Sequence, residues 1–300
     1  MSNNNNRRVR RRLNVPVNLT NYRKNTKHMY IHRGATNNFP SEYTNLPREI
    51  GSFKQLETLV LTGHRLTSLP KEIGLCTNLK RLQVMYCNLE SLPKEIGNLK
   101  KLEELELESN SLTSLPKEIG LCKNLRKIDL NDNNMKSLPK EIGNLKKLEK
   151  IWVDTGAFGS GQNLTSIPKE IGLCTNLKYL ILGYNELTSI PKEIGLLKNL
   201  LELVLEGNYL TSIPKEIGLC KKLTRLIVSM NELTSIPKEI EDLPRLSVLD
   251  LADNPIKGIS SELRKRGLNI RKNNNTKFIN HKYYTNQLST VSFKRKNLPR

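Results

Sequence analysis

Hydrophobic and polar positions along most of the chain follow one recurring arrangement, Leu-x-x-Leu-x-Leu-x-x-Asn, in which Cys or His sometimes replaces the final Asn. In the segment LEELELESN, the apolar positions are Leu102, Leu105 and Leu107. The Leu-x-Leu part has the period of two that sends successive side chains to opposite faces of a strand, so each segment predicts one short strand. One such strand cannot bury its apolar face alone, and the segments must therefore stack side by side.

A second marker, Leu-Pro or Ile-Pro followed by Lys-Glu-Ile-Gly, sets the length of the repeat. It recurs every 23 residues at seven of eight steps, and the exception is a step of 29 residues between Pro139 and Pro168. Because Pro has no N–H to donate, the stretch after it is predicted to be extended or to form short 3-10 turns. The prolines of the marker are Pro47, Pro70, Pro93, Pro116, Pro139, Pro168, Pro191, Pro214 and Pro237.

Nine such segments in fixed register resemble the leucine-rich repeat family over residues 46–272. The form N-x-L-x-x-L-P-x-E-I-G-x-L-x-x-L is similar to the 23-residue class of Ras-suppressor-like scaffold proteins and of bacterial and plant intracellular repeat proteins. The resemblance implies an α/β-type solenoid. It would be a leucine-rich-repeat horseshoe with a short-stranded parallel sheet on its concave face and irregular or 3-10 turns on its convex face. The Asn- and Lys-rich ends indicate an AT-rich genome, such as that of a giant DNA virus or a protist.

The repeat pattern divides the chain into four parts. Residues 1–25 and 273–300 are polar and basic and are predicted to be disordered tails. Residues 26–45 are predicted to form an N-terminal cap, because HMYIHRG (28–34) alternates as a capping strand would. Residues 46–272 form the solenoid, with nine strand segments and a C-terminal cap in which GLNI (267–270) predicts one last strand.

The position after each strand predicts a ladder of side-chain amides. A buried Asn there can bond backbone groups of its own turn and of the next repeat, which leaves fewer unsatisfied polar groups. His64 and Cys87 occupy this position in the first two repeats and predict a looser ladder there. The ladder residues are Asn110, Asn133, Asn185, Asn208, Asn231 and Asn254.

Cysteine and histidine do not predict a disulfide or a metal site. Four cysteines, Cys76, Cys122, Cys174 and Cys220, occupy a core position that other repeats fill with Leu. They lie two repeats or more apart, about 10 Å, which is beyond the roughly 7 Å that a disulfide allows between Cα atoms. Buried free thiols are therefore expected, and they fit a reducing compartment. The four histidines have no acidic or Cys partner at a ligand spacing, so no metal is predicted.

The net charge of +20 belongs to the two ends. Residues 1–45 carry nine basic residues and one acidic residue, residues 256–300 carry twelve and one, and the 210 residues between them are nearly neutral, with 28 and 27. The tails could hold nucleic acid or an anionic membrane surface, or fold back on an acidic stripe of the solenoid. The N-terminus has no apolar signal region, and no run of 18 apolar residues occurs. We therefore predict an intracellular monomer, cytoplasmic or, given the basic tails, nuclear, with no transmembrane segment.

The sequence lacks the motifs that mark common active sites. No phosphate-binding glycine loop, nucleophile elbow, kinase signature set or His-Glu-x-x-His motif occurs, so neither catalytic residues nor a cofactor are predicted. About 28 residues follow the C-terminal cap, too few for a catalytic domain with its own core.

A protein partner is instead predicted on the concave face, near the irregular fifth repeat. The longer step falls within WVDTGAFGSGQNLTS (152–166), whose six added residues are predicted to bring Phe158 beside Trp152. Exposed aromatic residues grouped on such a face are typical of interface hot spots, although repeat arrays also expose apolar residues that bind nothing. The predicted partner-binding residues are Trp152, Phe158, Tyr179, Ile181, Tyr184 and Tyr86. The predicted acidic stripe beside them comprises Glu104, Glu106, Glu108, Asp129, Asp132 and Asp154.

Overall fold

The fold is an open parallel sheet of eleven short strands, seen in a computed structural model that describes residues 17–32, 43–154, 164–266 and 268–271. The strands pair in the order of the chain, so each inner strand lies between the strand before it and the strand after it, and the first and last strands form the edges. The strands are β1 (His28–His32), β2 (Thr58–Thr62), β3 (Arg81–Met85), β4 (Glu104–Glu106), β5 (Lys127–Asp129), β6 (Lys150–Trp152), β7 (Tyr179–Ile181), β8 (Glu202–Val204), β9 (Arg225–Ile227), β10 (Val248–Asp250) and β11 (Asn269–Arg271).

Short 3-10 turns form the opposite, convex side, each beginning directly after the Pro of the marker. The Pro itself is extended, with φ near −68° and ψ near 148° at Pro70, so it leads the chain into the turn without needing an N–H. The turns are Arg48–Ser52, Lys71–Leu75, Lys94–Asn98, Lys117–Leu121, Lys140–Asn144, Lys169–Leu173, Lys192–Leu196, Lys215–Leu219 and Lys238–Asp242. The predicted horseshoe, with strands on one face and 3-10 turns on the other, is confirmed.

One continuous core lies between the sheet and the turns. The central strand residues stack in register from repeat to repeat, as Leu105 pairs with Ile128 and Leu180 pairs with Leu203. The Ile of each turn, such as Ile194, closes the core from the convex side and is fully buried. No repeat has a core of its own, so the stability of each one depends on its neighbours.

A longer N-terminal segment than expected covers the first repeat. β1 pairs in parallel with β2, with Met29 opposite Leu59, as the alternation of residues 28–34 predicts. Val17 and Leu19, which the sequence places in the basic tail of residues 1–25, are buried in the same core. The boundary at residue 25 is therefore wrong, because two apolar residues two positions apart seal the open end and are too few to form a recognisable pattern.

The C-terminal cover combines a helix, an arginine and a strand. α1 (Ser261–Lys265) is capped by the preceding Ser260, whose Oγ accepts the N–H of Leu263 at 3.2 Å. The Arg266 guanidinium donates to the Glu241 carbonyl at 2.8 Å and to the Ile240 carbonyl at 3.4 Å, in the last 3-10 turn. β11 then pairs with β10, so the predicted last strand is present. The sequence indicates a cover here, but neither the helix nor the role of Arg266.

The glycine of each turn permits close stacking of the repeats. A Cβ built on Gly195 would lie 2.5 Å from the carbonyl oxygen of Glu216 in the next turn, too close for any side chain. In the last turn, Glu241 stands where the other repeats have this glycine, and no further 3-10 turn stacks beyond it among the described residues. The recurring Gly is thus a requirement of the contact between turns.

The cysteines are free and buried, as predicted. Each of the four at the repeated core position donates from Sγ to the Ile carbonyl of the preceding turn; in Cys174 this bond reaches Ile142 at 3.2 Å. Burial raises the pKa of the Cys174 thiol to about 12, so the reactive thiolate is scarce near neutral pH.

Candidate interaction surface

The amide ladder links the repeats at the ends of the strands. Asn208 Nδ2 donates to the carbonyls of Leu182 and Leu205, each at 3.0 Å, and Asn208 Oδ1 accepts the N–H of Leu187 at 3.0 Å. Asn231 Nδ2 also donates to the Leu205 carbonyl, at 2.9 Å, so neighbouring amides share each carbonyl. The amides therefore join each repeat to the one before it, not to the next one as the sequence analysis expects, and they hold the strand ends in a fixed spacing.

The ladder weakens beside the irregular repeat. Asn185 donates to the carbonyls of Val153 and Leu182, but its Oδ1 is buried without a hydrogen-bond partner in the described part of the chain. At the other departures from the pattern, His64 Nε2 lies 3.2 Å from the Ile31 carbonyl and so still reaches the previous repeat. The Cys87 thiol donates to the Met85 carbonyl of its own turn at 3.3 Å, so this side chain donates no hydrogen bond to another repeat. The looser ladder therefore occurs at Cys87 and not at His64.

The residue just before the ladder position is left-handed in every repeat where it is described. Glycine adopts this backbone freely and occupies two of these positions, Gly63 and Gly207. Tyr86, Tyr184 and Met230 are bulky residues at this position, with φ of 51–54°. A left-handed backbone costs such residues about 1–2 kcal/mol each. Aromatic or sulfur side chains at these positions are thus retained at the expense of local backbone strain.

A strip of apolar residues crosses the concave face, on the side of the sheet away from the main core. Trp152, Ile181, Val204 and Ile227 are direct partners on β6 to β9, and Val248 packs against the same strip. We call these five residues the concave strip. Ile181 retains only 7% exposure because its cross-strand neighbours cover it, so the expectation of a freely exposed Ile181 is wrong.

Lysine side chains accompany the single Trp of the chain. The Lys127 ammonium lies 4.6 Å from the centre of the Trp152 ring, and the Lys150 ammonium lies 5.8 Å from it. Lys150 also lies 5.4 Å from the centre of the Tyr179 ring. Trp152, Tyr179 and Ile181 are therefore brought together as predicted, but with two cations among them that the sequence argument did not include.

Tyr184 and Tyr86 make other contacts. The Tyr184 ring faces Gly207, where a Cβ would lie 2.7 Å from Cδ1, and its hydroxyl lies 3.9 Å from Sδ of Met230. Tyr86 lies at the end of β3, and its hydroxyl donates to Glu108 at 2.9 Å. Phe158 lies outside the described residues, and its contribution stays a prediction from sequence.

The residues of the predicted acidic stripe fall into two groups with different surroundings. Glu106 and Asp129 are buried, and the Glu106 carboxylate pairs with Arg81 at 3.0 Å and with Lys127 at 3.4 Å. Glu104 pairs with Arg81 at 3.5 Å. These paired or buried carboxylates do not present a free negative surface, because neighbouring basic groups on adjacent strands neutralise them.

A second set of acidic groups lies where the strands end. Two successive positions after each strand hold no Lys or Arg in any repeat but hold five acidic residues, which we call the acidic rim: Glu108, Asp132, Asp154, Glu206 and Asp253. The first strand position instead holds more basic than acidic residues: Arg81, Lys127, Lys150 and Arg225 against Glu104 and Glu202. The concave face is therefore polarised across the strands, basic at their beginnings and acidic at their ends.

The buried carboxyl group of Asp129 should make the stability of the folded chain depend on pH. Burial, opposed by Lys127 and by the Asn131 N–H, raises the pKa of its carboxyl to about 7, above an unfolded value near 3.9. The folded chain thus holds this proton more tightly, and the stability it contributes at pH 4 is lost as the pH rises to 7. We expect Asp129→Asn to raise the free energy of unfolding by about 1–3 kcal/mol at pH 8 and to leave it nearly unchanged at pH 4.

Urea denaturation followed by circular dichroism at both pH values measures this difference. Asp242→Asn, an acid at an exposed position, is the control and should change the stability equally at both pH values. An equal effect of Asp129→Asn at pH 4 and pH 8 would contradict the assignment.

The convex side carries apolar residues that the sequence argument overlooked. Leucines at the end of five 3-10 turns are 45–48% exposed, whereas the same position holds Ser, Asn or Asp in the other turns. These leucines are Leu75, Leu121, Leu173, Leu196 and Leu219. The sequence does indicate these leucines, because the position directly after Lys-Glu-Ile-Gly varies from repeat to repeat and is Leu in five of them.

Other kinds of site are not seen in the described ranges. No group of three or more His, Cys, Asp or Glu side chains there could hold a metal ion. Within those ranges, every helix is too short or too polar to cross a membrane.

Family models agree with the fold. A leucine-rich repeat region model matches residues 39–112, and a leucine rich repeat model matches residues 100–154 and 198–256. Together with the eleven-stranded solenoid, these matches show that the chain belongs to the leucine-rich repeat proteins. A search of curated proteins found no match.

Solved structures include several that are similar to this chain. The plant peptide hormone receptor RGFR1 in complex with RGF2 shares 31% identity and a TM-score of 0.65, over 79% of this chain and 43% of that one. The ectodomain of the Arabidopsis thaliana receptor kinase GASSHO1/SCHENGEN3 shares 28% identity with a TM-score of 0.58, over 77% and 32%. A leucine-rich repeat protein of Leptospira interrogans shares 35% identity, over 76% and 69%, with a TM-score of 0.46. The chain spans less than half of either plant receptor structure.

Proposed function

We propose that this protein is a non-enzymatic protein–protein interaction module that binds its partner on the concave face near Trp152. The observation that carries the proposal is the concave strip, an apolar row that continues across five strands on the face that the main core does not use. Its three middle side chains are buried against one another, and Trp152 and Val248 stay partly exposed beside them. An apolar row on the outer face of a repeat array contributes much less to folding stability than the core does. Such rows are typical of interfaces.

The residues around the strip support the same surface. Trp152 is partly exposed at one end of the strip, and the strained residues Tyr184 and Met230 lie at the strand ends beside its middle. Large side chains on rigid strands lose little conformational entropy when they are buried by a partner. Trp and Tyr are also the residues most enriched among those that dominate binding energies.

The family supports the class of function and leaves the partner open. Two similar structures are receptors determined in complex with a partner named in their titles, RGF2 and CASPARIAN STRIP INTEGRITY FACTOR 2. The 23-residue step, kept at seven of eight intervals, further supports membership of the intracellular class with the LPxEIG signature, and an AT-rich source genome stays a prediction from composition. The fold alone does not define which protein is bound, because the variable surface residues carry that information.

Affinity capture from lysate of the source cells tests the proposal. We expect the double variant Trp152→Ala/Tyr184→Ala to lose partner affinity by about 30-fold or more, since a hot-spot residue contributes at least about 2 kcal/mol. Tyr209→Ala is the matched control, because Tyr209 is 53% exposed but follows the ladder position and lies off the strands.

Quantitative mass spectrometry of the captured proteins gives the readout. A true partner is retained by the wild type and by Tyr209→Ala and lost from the double variant. If all three proteins capture the same set in the same amounts, the concave face near Trp152 is not the binding surface.

The charge distribution supports a separate activity of the two ends. Nine basic residues against one acidic residue in residues 1–45, and twelve against one in residues 256–300, favour nucleic acid or an anionic surface as a second partner of this protein. A filter-binding titration with salt tests it: binding through the ends falls steeply with salt and disappears when residues 1–16 and 272–300 are removed.

A further inference from the structure

Two lysines face each other on neighbouring strands beside the concave strip. Lys127 of β5 and Lys150 of β6 are register partners, and like charges placed directly opposite each other repel. Lys127 is compensated, since its ammonium lies 3.4 Å from Glu106 and 3.9 Å from Asp129. Lys150 forms no ion pair in the part of the chain that the structure describes. One of the two charges is therefore left without a carboxylate.

Aromatic rings hold this uncompensated ammonium in place. The faces of Trp152 and Tyr179 lie 5.8 and 5.4 Å from Lys150 Nζ, within the range of a cation–π attraction. A ring face attracts the cation but does not neutralise its charge, and the ammonium has three N–H donors that need acceptors. Lys150 is thus a positioned cation with unused hydrogen-bonding capacity.

A shallow pocket of ≈ 290 Å³ opens at Lys150. Four basic and three acidic residues line it, and each acidic residue pairs with an arginine of the same pocket. Arg81 pairs with Glu104 at 3.5 Å and with Glu106 at 3.0 Å, and Arg126 pairs with Glu149 at 2.8 Å. Each carboxylate of the pocket is therefore already paired, and the four basic and three acidic residues leave the pocket with one surplus positive charge.

We infer that the concave face recognises an Asp or Glu side chain of a bound protein segment, whose carboxylate pairs with the ammonium of Lys150 against the rings of Trp152 and Tyr179. This inference rests on the proposed function, because it specifies the chemistry of the partner at the same surface. The concave strip offers the apolar contact beside that carboxylate.

The surrounding charges favour an acidic protein segment over a polyanion. The pocket has a surplus of one charge, which a single carboxylate neutralises. A nucleic acid strand would bring several phosphates across the concave face and would meet the five carboxyl groups of the acidic rim, which repel them. An isolated carboxylate can occupy the basic beginning of the strands without approaching that rim.

Capped hexapeptides provide a direct test on the full chain. Three peptides are compared that carry two Leu residues and differ at one central position, which is Glu, Gln or Lys. Trp152 is the only Trp, so its fluorescence reports binding at this site without a label. We expect the Glu peptide to bind at least about 10-fold more tightly than the Gln peptide, and the Lys peptide to bind most weakly, because a charge-assisted hydrogen bond is about twice as strong as a neutral one.

Variants of Lys150 separate this contact from general electrostatics. Lys150→Gln should reduce the preference for Glu over Gln to within about 2-fold, and Lys150→Arg should keep it. Lys123→Gln removes the same charge from an exposed position away from the strands and should leave the preference intact.

The remaining outcomes overturn the inference. They are a preference for the Lys peptide, equal affinity for the Glu and Gln peptides, a preference that persists in Lys150→Gln, or no binding of any peptide. None of these decides the proposed function, because the lysate comparison of the Trp152→Ala/Tyr184→Ala variant is independent of the charge of the partner.

Discussion

Replacing Asn208 by Leu is expected to lower the free energy of unfolding by about 3–5 kcal/mol. The substitution keeps an approximately equal volume but removes every hydrogen bond of the amide. The carbonyls of Leu182 and Leu205 each keep one other ladder amide, whereas the buried Leu187 N–H loses its acceptor. One orphaned buried donor costs about 1–3 kcal/mol, and the lost bonds to the carbonyls add about 0.5–1.5 kcal/mol each.

Asn185→Leu is the matched comparison, because the Oδ1 of Asn185 has no partner among the described residues. No N–H is orphaned by its loss, so this variant should be about 1–2 kcal/mol less costly than Asn208→Leu. Asn88→Leu, at an exposed position, should stay within about 0.5 kcal/mol of the wild type.

Urea denaturation gives the stabilities, and hydrogen exchange at the Leu187 amide gives a local readout. Faster exchange at Leu187 in Asn208→Leu than in Asn185→Leu is expected. Equal stability losses in the two variants would show that the acceptor role of the ladder amide contributes little.

Replacing Gly195 by Ala is expected to destabilise the protein by about 2–3 kcal/mol, at the upper end of what overpacking costs. The new methyl group would meet the Glu216 carbonyl oxygen at 2.5 Å and Glu216 Cβ at 2.8 Å. The obstructing oxygen belongs to the backbone of the next turn, so no side-chain rotation relieves the contact. The two turns must move apart, which also disturbs the core between them.

Gly258→Ala is the control, since a Cβ there meets no atom within 4 Å. It should leave the stability unchanged or raise it slightly, because Ala restricts the unfolded chain. Thermal denaturation of both variants measures the difference, and a Gly195→Ala protein as stable as Gly258→Ala would show that the turns tolerate a wider spacing.

Much of the interaction surface could be assigned to the correct face from sequence, but its charges could not be assigned correctly. The repeat register places Trp152, Glu106 and Asp129 in one row of side chains. It does not show that Arg81 and Lys127 reach sideways to neutralise Glu106, because long side chains cross between strands in ways that position alone does not define. The same limitation applies to Lys150, whose closeness to two rings depends on its side-chain conformation.

Backbone geometry distinguishes Tyr184 from Trp152, although the sequence analysis places both in one predicted binding surface. The two residues belong to neighbouring repeats, but Trp152 is the last residue of β6, whereas Tyr184 lies three positions beyond the last residue of β7. A φ of 51° at Tyr184 turns its side chain away from the strand direction, and the missing Cβ of Gly207 gives the ring its space on the next repeat. The sequence shows that Tyr184 and Gly207 belong to adjacent repeats. Only the left-handed backbone at Tyr184 shows in which direction its ring points.

The sequence by itself determined the solenoid, the step of the repeat, the strands, the buried thiols and the amide ladder. These features follow from local periodicity, and the pattern recurs in each repeat, so every repeat supports the same prediction. Only the tertiary structure decided that Val17 and Leu19 close the first repeat, that Arg266 covers the last turn, and that Arg81 and Lys127 pair with Glu106. These features depend on contacts between side chains that lie far apart in the chain or on separate strands, and such contacts leave no periodic pattern in the sequence.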